Sequence, residues 1–162
     1  MHMSLKTLGR LLALAIFVVA VLMWITPVIR NRYLNPTEQA GPLIEPVMRN
    51  ILADLGWQNT GILLESGEMI NIQFRAGEIR DGDTILRGLA GTGYICGGST
   101  CCEPMPHVQR GALIGRVQNH LFLIGDQNTI QVQETGELQL RVNDCDSGLF
   151  DNTGSFQVKI SH

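Results

Sequence analysis

The chain after residue 46 alternates between apolar and polar side chains in short runs. In residues 69–75, MINIQFR, every second side chain is apolar, and the same alternation recurs in residues 137–142 and 154–160. A period of two places the apolar side chains on one face of an extended segment, which is typical of a half-buried β-strand. These runs are separated by turn residues such as Ser, Gly, Asn and Thr.

The pattern predicts eight short strands and requires no helix after residue 46. The predicted strands are Val47–Ala53, Thr60–Glu65, Met69–Arg75, Gly111–Val117, His120–Ile124, Thr129–Gln133, Glu137–Val142 and Gly154–Ile160. Residues 76–106 are rich in Gly, Cys and Pro, and we predict a long irregular loop there, of the kind that often carries function. The fold class is therefore all-β, a small antiparallel β-sandwich of jelly-roll type.

The N-terminal pattern is of another kind. Residues 11–29, LLALAIFVVAVLMWITPVI, carry no charge and have the length that a membrane-crossing helix needs, about 20 residues. A cleaved signal peptide is the competing interpretation, but the stretch exceeds the usual apolar core of about 7–15 residues and no clear cleavage site follows it. We predict a short N-terminal tail at 1–10, a transmembrane signal anchor at 11–29, a linker at 30–46 and a folded domain at 47–162.

The charge distribution narrows the choice of partners and location. All 15 acidic residues follow the apolar span, against 8 of the 12 Lys and Arg from Tyr33 onward, so this part carries about −7. Nucleic-acid and anionic-lipid binding need an excess of Lys and Arg, so neither is expected of this part. We predict a membrane-anchored protein whose domain is extracytoplasmic, at the cell surface or in the periplasm.

Four cysteines lie in the predicted exported part: Cys96, Cys101, Cys102 and Cys145. An even number fits one or two disulfides in an oxidising compartment. Cys101 and Cys102 are neighbours and are not expected to bridge each other. Buried free thiols are one alternative, and a zinc site of the four-ligand kind, Cys96, Cys101, Cys102 and His107, is another, although its spacing matches no common zinc motif.

The most distinctive segment is NDCDSGLFDN, residues 143–152. It contains five Asn or Asp residues, and no Lys or Arg lies between Arg141 and Lys159 to offset their charge. A solvated turn would explain the residue types but not the concentration of charge. Calcium binds about six to eight hard oxygen ligands, and it would offset the repulsion between the carboxylates.

Several segments, in this order and spacing, resemble one known family. They are WQNTGILLESGEMINIQFRAG at 57–77, GALIGRV at 111–117, GELQLRVND at 136–144 and DNTGSFQVKI at 151–160. Together they resemble the bacterial calcium-dependent galactophilic lectins of the PA-I type (LecA-like). The likeness spans residues 47–160. It implies a small jelly-roll sandwich in which the terminal loop holds one calcium ion and the sugar binds through that ion.

The resemblance implies a set of ligand residues. Asp144, Asp151 and Asn152 match side-chain ligands of calcium, Gly148 matches a residue that supplies a main-chain carbonyl, and a second carbonyl falls near Asp81. Asp151 replaces an asparagine of the family, and Gly148 replaces a threonine. The added negative charge of Asp151 favours calcium.

The sugar-contacting part of the resemblance is weaker. The family's His-Pro-x-Gln segment has no clear counterpart, although His107 and Gln109 lie in the corresponding region. The expected sugar-binding residues are Asp81, His107, Gln109, Asp144, Cys145, Gly148 and Asp151. We call residues 143–152 the acidic loop. If Cys145 bridges to Cys96, Cys101 or Cys102, it would attach the acidic loop to the 76–106 loop. Trp57 is expected to pack rather than to stack on a sugar.

Three function classes come into consideration for this sequence. The favoured one is calcium-dependent binding of a galactose-like glycan by a membrane-tethered domain, and a homo-oligomer is compatible with it. The alternative is a calcium-stabilised structural or protein-interaction domain without sugar binding. Catalysis is not expected, because the sequence contains no serine-hydrolase, metal-hydrolase or phosphate-loop motif.

Overall fold

The computed structural model of the chain describes residues 41–125 and 129–162. It contains ten strands and one short 3-10 helix, η1. The elements are β1 (Gly41–Pro42), β2 (Val47–Leu52), β3 (Gln58–Leu64), β4 (Met69–Asp81), β5 (Thr84–Leu86), β6 (Leu113–Val117), β7 (His120–Leu123), β8 (Thr129–Gln131), β9 (Gly136–Val142), η1 (Leu149–Asp151) and β10 (Thr153–Ser161). The predicted tail and transmembrane segment lie outside these residues. Within them, no helix has the length and apolar character that crossing a membrane requires.

The strands form two five-stranded sheets around one core. The first sheet has the order β1-β3-β9-β6-β7, and the second has the order β2-β10-β4-β5, with β8 paired to β4. The neighbouring strands are antiparallel except for β1 and β3. One cluster of buried apolar side chains draws on both sheets, with Leu138 and Leu140 from the first and Ile72 and Phe156 from the second. The prediction of an all-β, sandwich-like domain is confirmed, and all eight predicted strands form.

Strand β4 is longer than the sequence pattern predicts. The predicted strand ends at Arg75, but the observed one continues through a bulge opposite Gln157 and Val158 to Asp81, where it pairs with β5. Alternation is lost at Ala76 and Gly77 because a bulge inserts one extra residue and reverses the side-chain direction. The prediction of an irregular chain over 76–106 is therefore wrong for its first eleven residues, apart from the turn between β4 and β5.

The N-terminal edge of the described chain is part of the sandwich. Gly41–Pro42 pairs in parallel with Ile62 and Leu63. Leu43 is buried in the core, and its carbonyl oxygen contacts the ring of His162. The last residues of the range predicted as a linker thus pack onto the domain.

Gly77 provides a test of the close approach of β4 to β10. Its φ is +98°, and a Cβ there would lie 2.2 Å from the carbonyl oxygen of Ser155 in β10. The variant Gly77→Ala is expected to lose at least about 3 kcal/mol of unfolding free energy, because it combines backbone strain with a clash against a paired strand. Chemical denaturation measures this loss.

The matched control is Gly67→Ala. Gly67 has a similar φ of +91°, but a Cβ there would meet no atom of the described chain within 4 Å. We expect this variant to lose only about 1–2 kcal/mol, which is the cost of the backbone conformation alone. Equal losses in the two variants would show that the close approach of β4 to β10 does not constrain position 77.

Candidate functional site

Three separate segments of the chain meet at one cavity of about 480 Å³. The end of β4 supplies Asp81, the long loop before β6 supplies Arg110, and η1 supplies Asp151. The cavity is lined by Asp81, Gly82, Thr84, Thr92, Tyr94, Arg110 and Asp151. Two carboxylates, two hydroxyl-bearing threonines and one aromatic ring therefore surround a space large enough for a small polar ligand.

Asp144 is the buried centre of the site. It is fully buried, its Oδ1 accepts a hydrogen bond from the Cys145 amide at 2.7 Å, and its Oδ2 accepts one from Asn152 Nδ2 at 2.9 Å. Asn152 Nδ2 also donates to the Ala53 carbonyl at 3.3 Å. These contacts fix the orientation of the Asn152 amide and direct Nδ2, rather than Oδ1, towards the carboxylate.

The amide oxygen of Asn152 is a buried acceptor without a hydrogen-bond partner among the described residues. Asn152 itself is only 2% exposed. An unpaired buried acceptor is costly and calls for an explanation, such as an ion or a water molecule. A hard cation that coordinates oxygen atoms would satisfy it.

Arg110 brings a positive charge to the same carboxylates. Its Nε lies 3.0 Å from Asp81 Oδ2 and 3.0 Å from Asp144 Oδ1. This Nε is buried, yet within the described chain its N–H is not aligned with either oxygen as a hydrogen bond. The two contacts are therefore ion pairs of a guanidinium held between two carboxylates, rather than directed hydrogen bonds.

The charges in the site shift one another's proton affinities. Burial raises the pKa of the Asp81 carboxyl, the guanidinium of Arg110 opposes that rise, and the carboxylates of Asp144 and Asp151 add to it. For Arg110, burial lowers the pKa, but the carboxylates of Asp144, Asp81 and Asp151 outweigh burial and raise it. The site thus holds three carboxylates close enough to repel one another and one cation among them.

Arg141 supplies a second positive charge to the acidic loop. This side chain is buried, and it donates to Asp146 Oδ1 at 2.8 Å and to the Asp144 carbonyl at 2.7 Å. The sequence-based inference that the loop charge is uncompensated is therefore wrong. Arg141 reaches forward from β9, and Arg110 arrives from a distant segment.

The loops around the site are joined covalently and by hydrogen bonds. Disulfides connect Cys96 with Cys101 and Cys102 with Cys145. The expectation that Cys145 attaches the acidic loop to the 76–106 loop is confirmed, and the zinc alternative is wrong because all four thiols are oxidised. In the described ranges, the groups of three His, Cys, Asp or Glu residues whose ligand atoms lie within 4.8 Å of one another consist of these disulfide cysteines with Glu103, and their sulfur atoms are not thiolate ligands. The carboxylates of Asp81, Asp144 and Asp151 do not form a group as compact as this in the described part of the chain.

Asn143 strengthens the same junction. The side chain is fully buried; its Oδ1 accepts from the Met105 amide at 3.0 Å, and its Nδ2 donates to the carbonyl of Met105 at 3.0 Å and that of Val108 at 3.1 Å. Asn143 is thus a structural residue of the site, because it fixes the loop that carries Arg110.

The other predicted site residues lie at varying distances from the cavity. Gly148 borders Asp144, since a Cβ at this glycine would lie 3.3 Å from Asp144 Oδ2. Cys145 contributes its amide to Asp144, while its sulfur is in the disulfide. Gln109 Oε1 accepts from the Gly93 amide at 2.9 Å, next to Tyr94. His107 is exposed and does not line the cavity.

Sequence reasoning did not find Thr84, Thr92, Tyr94 and Arg110. They belong to the region predicted to be irregular or to the position just before GALIGRV, where no periodicity or motif marks them. Tyr94 is 56% exposed at the cavity wall. The hydrogen bond from the Arg110 amide to the Tyr94 carbonyl, at 2.8 Å, places the two residues side by side.

Trp57 lies away from the cavity lining. The guanidinium carbon of Arg116 is 4.5 Å from the centroid of its ring, and that of Arg141 is 5.6 Å away. The ring of Trp57 therefore packs against two guanidinium groups through cation–π contacts, in agreement with the prediction that it packs rather than stacks on a sugar.

Comparison with known proteins supports the fold. No protein-family model matches the chain, and no curated protein matches it. Among solved structures, the chain is similar to the EclA N-terminal domain, described as a PllA-like lectin. The sequence identity is 24%, the TM-score is 0.53, and the match covers 70% of this chain and 93% of that domain. At this identity the similarity shows a lectin-like fold for the described domain.

Proposed function

We propose that the domain binds carbohydrate at the cavity bordered by Asp81, Arg110 and Asp151. The observation that carries this proposal is the convergence of oxygen-bearing side chains from β4, β5, the long loop before β6 and η1 on one open cavity of a lectin-like fold. Hydroxyl-rich ligands are recognised by such clusters of carboxylates and amides. The exposed ring of Tyr94 adds an apolar surface on which a sugar face can lie.

The donor set also fits calcium. Asp144, Asp151 and Asn152 offer hard oxygen atoms from one loop, Asp81 offers a carboxylate from β4, and the carbonyl of Gly148 lies in the same loop. The buried Oδ1 of Asn152 has no hydrogen-bond partner among the described residues, and an oxygen of this kind is a suitable ligand for a hard cation. When bound, calcium would supply open coordination positions for neighbouring sugar hydroxyls.

A galactose-like glycan, calcium dependence and a membrane-tethered, extracytoplasmic setting remain part of the proposal. The two disulfides support an oxidising compartment. The domain would then act by binding rather than by catalysis. The second candidate is a calcium-stabilised interaction domain, which the exposed position of His107 favours because the expected sugar contact is not at the cavity.

Calorimetric titration tests the proposal. The purified full chain is titrated with calcium, first alone and then in excess galactose. Calcium binding that tightens with galactose is expected, because coupling between the two ligands is reciprocal. Calcium binding that does not respond to galactose or to a panel of other sugars would select the interaction domain.

Tyr94 provides a separate prediction for the sugar. The variant Tyr94→Ala is expected to weaken sugar binding by about tenfold, because it removes an exposed aromatic face from the cavity wall, while calcium affinity changes by less than about twofold. Titration of each ligand in turn measures both effects. The control is Phe150→Ala, which removes a ring that is 85% exposed and does not line the cavity. Equal effects in the two variants would place the sugar elsewhere.

A further inference from the structure

We infer that Arg110 is a built-in cation that competes with calcium for the carboxylates of Asp81 and Asp144. The inference rests on the proposed calcium site and adds its regulation. In this arrangement the metal-free site is not an open cluster of negative charges. It is a site that calcium can enter only by displacing a side chain of the same chain.

The position of the Arg110 guanidinium overlaps the position that calcium would take between the two carboxylates. One atom, Nε of Arg110, lies 3.0 Å from an oxygen of each carboxylate, so the two oxygens are bridged by a single positive group. Calcium binds oxygen at about 2.3–2.6 Å, so an ion that used both oxygens would occupy nearly the same space as this nitrogen. The two cations also repel each other strongly at contact distance. Occupation of the site by calcium and by the guanidinium is therefore mutually exclusive.

The ion pairs of Arg110 leave its own Nε–H group without a directed hydrogen bond in the described chain. This N–H is buried, but within the described residues it makes no aligned hydrogen bond. The guanidinium therefore offsets the charge of the two carboxylates without a directed hydrogen bond from Nε to either of them. Calcium carries two positive charges and binds carboxylate oxygens directly, which gives it an advantage to set against the cost of displacing Arg110.

The surroundings of Arg110 allow it to leave. Its side chain is 33% exposed and borders the open cavity, whereas its backbone is fixed by hydrogen bonds to Tyr94 and Thr92. Rotation about the side-chain bonds would move the guanidinium within the cavity, which Thr92 and Tyr94 also line, without moving the loop. The buried Arg141 differs, because its guanidinium is bonded to Asp146 and to two main-chain carbonyls.

The consequence is that a higher free calcium concentration is needed to load the site. The domain would remain folded at low calcium because Arg110 balances Asp81 and Asp144, and it would load calcium only when the free concentration exceeds that set by the competition. Loading would also release a guanidinium at the cavity wall, where the sugar is proposed to bind.

The test measures calcium affinity in the full chain and in Arg110→Met. This variant keeps an apolar stem that reaches as far as Nε and removes the charged guanidinium group. It is expected to bind calcium at least about tenfold more tightly than the unmodified chain, because the internal competitor is gone. Its metal-free melting temperature is expected to fall by about 5 °C and to recover in calcium, since the carboxylates lose their counter-ion. Arg110→Gln, with a shorter polar side chain, is measured in parallel and is expected to show the same gain.

The matched control is Arg87→Met. Arg87 forms an exposed ion pair with Glu78 at 2.9 Å and does not line the cavity, so its removal changes the net charge equally. We expect its calcium affinity to stay within about twofold of the unmodified chain. If Arg87→Met gains as much calcium affinity as Arg110→Met, the gain reflects the change in net charge. That result would overturn the competition.

The outcomes separate this inference from the proposed function. Equal calcium affinity in the Arg110 variants and the unmodified chain, or no calcium binding in any of them, overturns the competition. Tighter calcium binding in Arg110→Met without retention of any protein on immobilised galactose supports the competition and rejects galactose binding. Retention on immobilised galactose, with unchanged calcium affinity in the Arg110 variants, supports galactose binding and overturns the competition.

Discussion

Replacing Asp144 by asparagine is expected to raise the calcium dissociation constant by at least about a hundredfold. Asp144 is fully buried, and its carboxylate contacts Arg110, Asn152 and the Cys145 amide. Asparagine has nearly the same shape, but the change removes a negative charge from the site and replaces one of two acceptor oxygens by an NH2 group that faces another donor. Sugar binding is expected to be lost together with calcium binding, and calorimetry measures both.

The control for this prediction is Asp146→Asn. Asp146 belongs to the same loop and carries the same charge, but its side chain is 83% exposed and pairs with Arg141 rather than with the cavity residues. Its neutralisation should change calcium affinity by less than about threefold, because an exposed charge is screened by solvent and salt. If Asp144→Asn binds calcium as tightly as the unmodified chain, the ion is not held by this loop.

The second large effect is expected from the disulfide next to Asp144. Replacing both Cys102 and Cys145 by alanine should reduce the unfolding free energy by about 4 kcal/mol, because this bond joins residues 43 positions apart and restricts the unfolded chain strongly. Denaturant unfolding of the oxidised proteins measures the loss. Calcium affinity should also fall, since the disulfide fixes the backbone next to Asp144 and a freed loop would have to be ordered when the ion binds.

The other disulfide is the matched control. Cys96 and Cys101 are 5 positions apart, so replacing both by alanine should cost only about 2 kcal/mol. This pair bridges residues within the long loop and does not attach it to the acidic loop. If the two double variants lost the same stability, loop length would not govern the effect. If both kept full calcium affinity, the Cys102–Cys145 attachment would not position Asp144.

The sheet strands were predictable because their pattern is local. In Met69–Arg75, alternate side chains enter the core, and the sequence shows this directly as a period of two. The continuation of β4 to Asp81 was not predictable in the same way. The bulge at Arg75, between Phe74 and Ala76, breaks the period, and the strand persists there because β10 pairs with it on both sides of the bulge.

The candidate site was partly predictable, because some of its residues lie close together in the sequence. Asp144, Asp151 and Asn152 are close in sequence, so the composition of one loop reveals them, whereas Gly148 was reached only through the family resemblance. Asp81 was reached only through the family resemblance, which implied its carbonyl, and the structure shows that its carboxylate also faces the site. Tyr94 and Arg110 had no local signal, because the long loop brings them to the cavity.

The sequence by itself determined the β-strands, the even set of cysteines and the concentration of acidic residues in residues 143–152. Only the tertiary structure decided how that charge is balanced. Counting charges along the chain gave a loop without counter-ions, whereas Arg110 lies 34 positions before Asp144 and its Nε is only 3.0 Å from the carboxylate. Electrostatic energy depends on distance in space and on burial, and neither quantity is fixed by the order of residues alone.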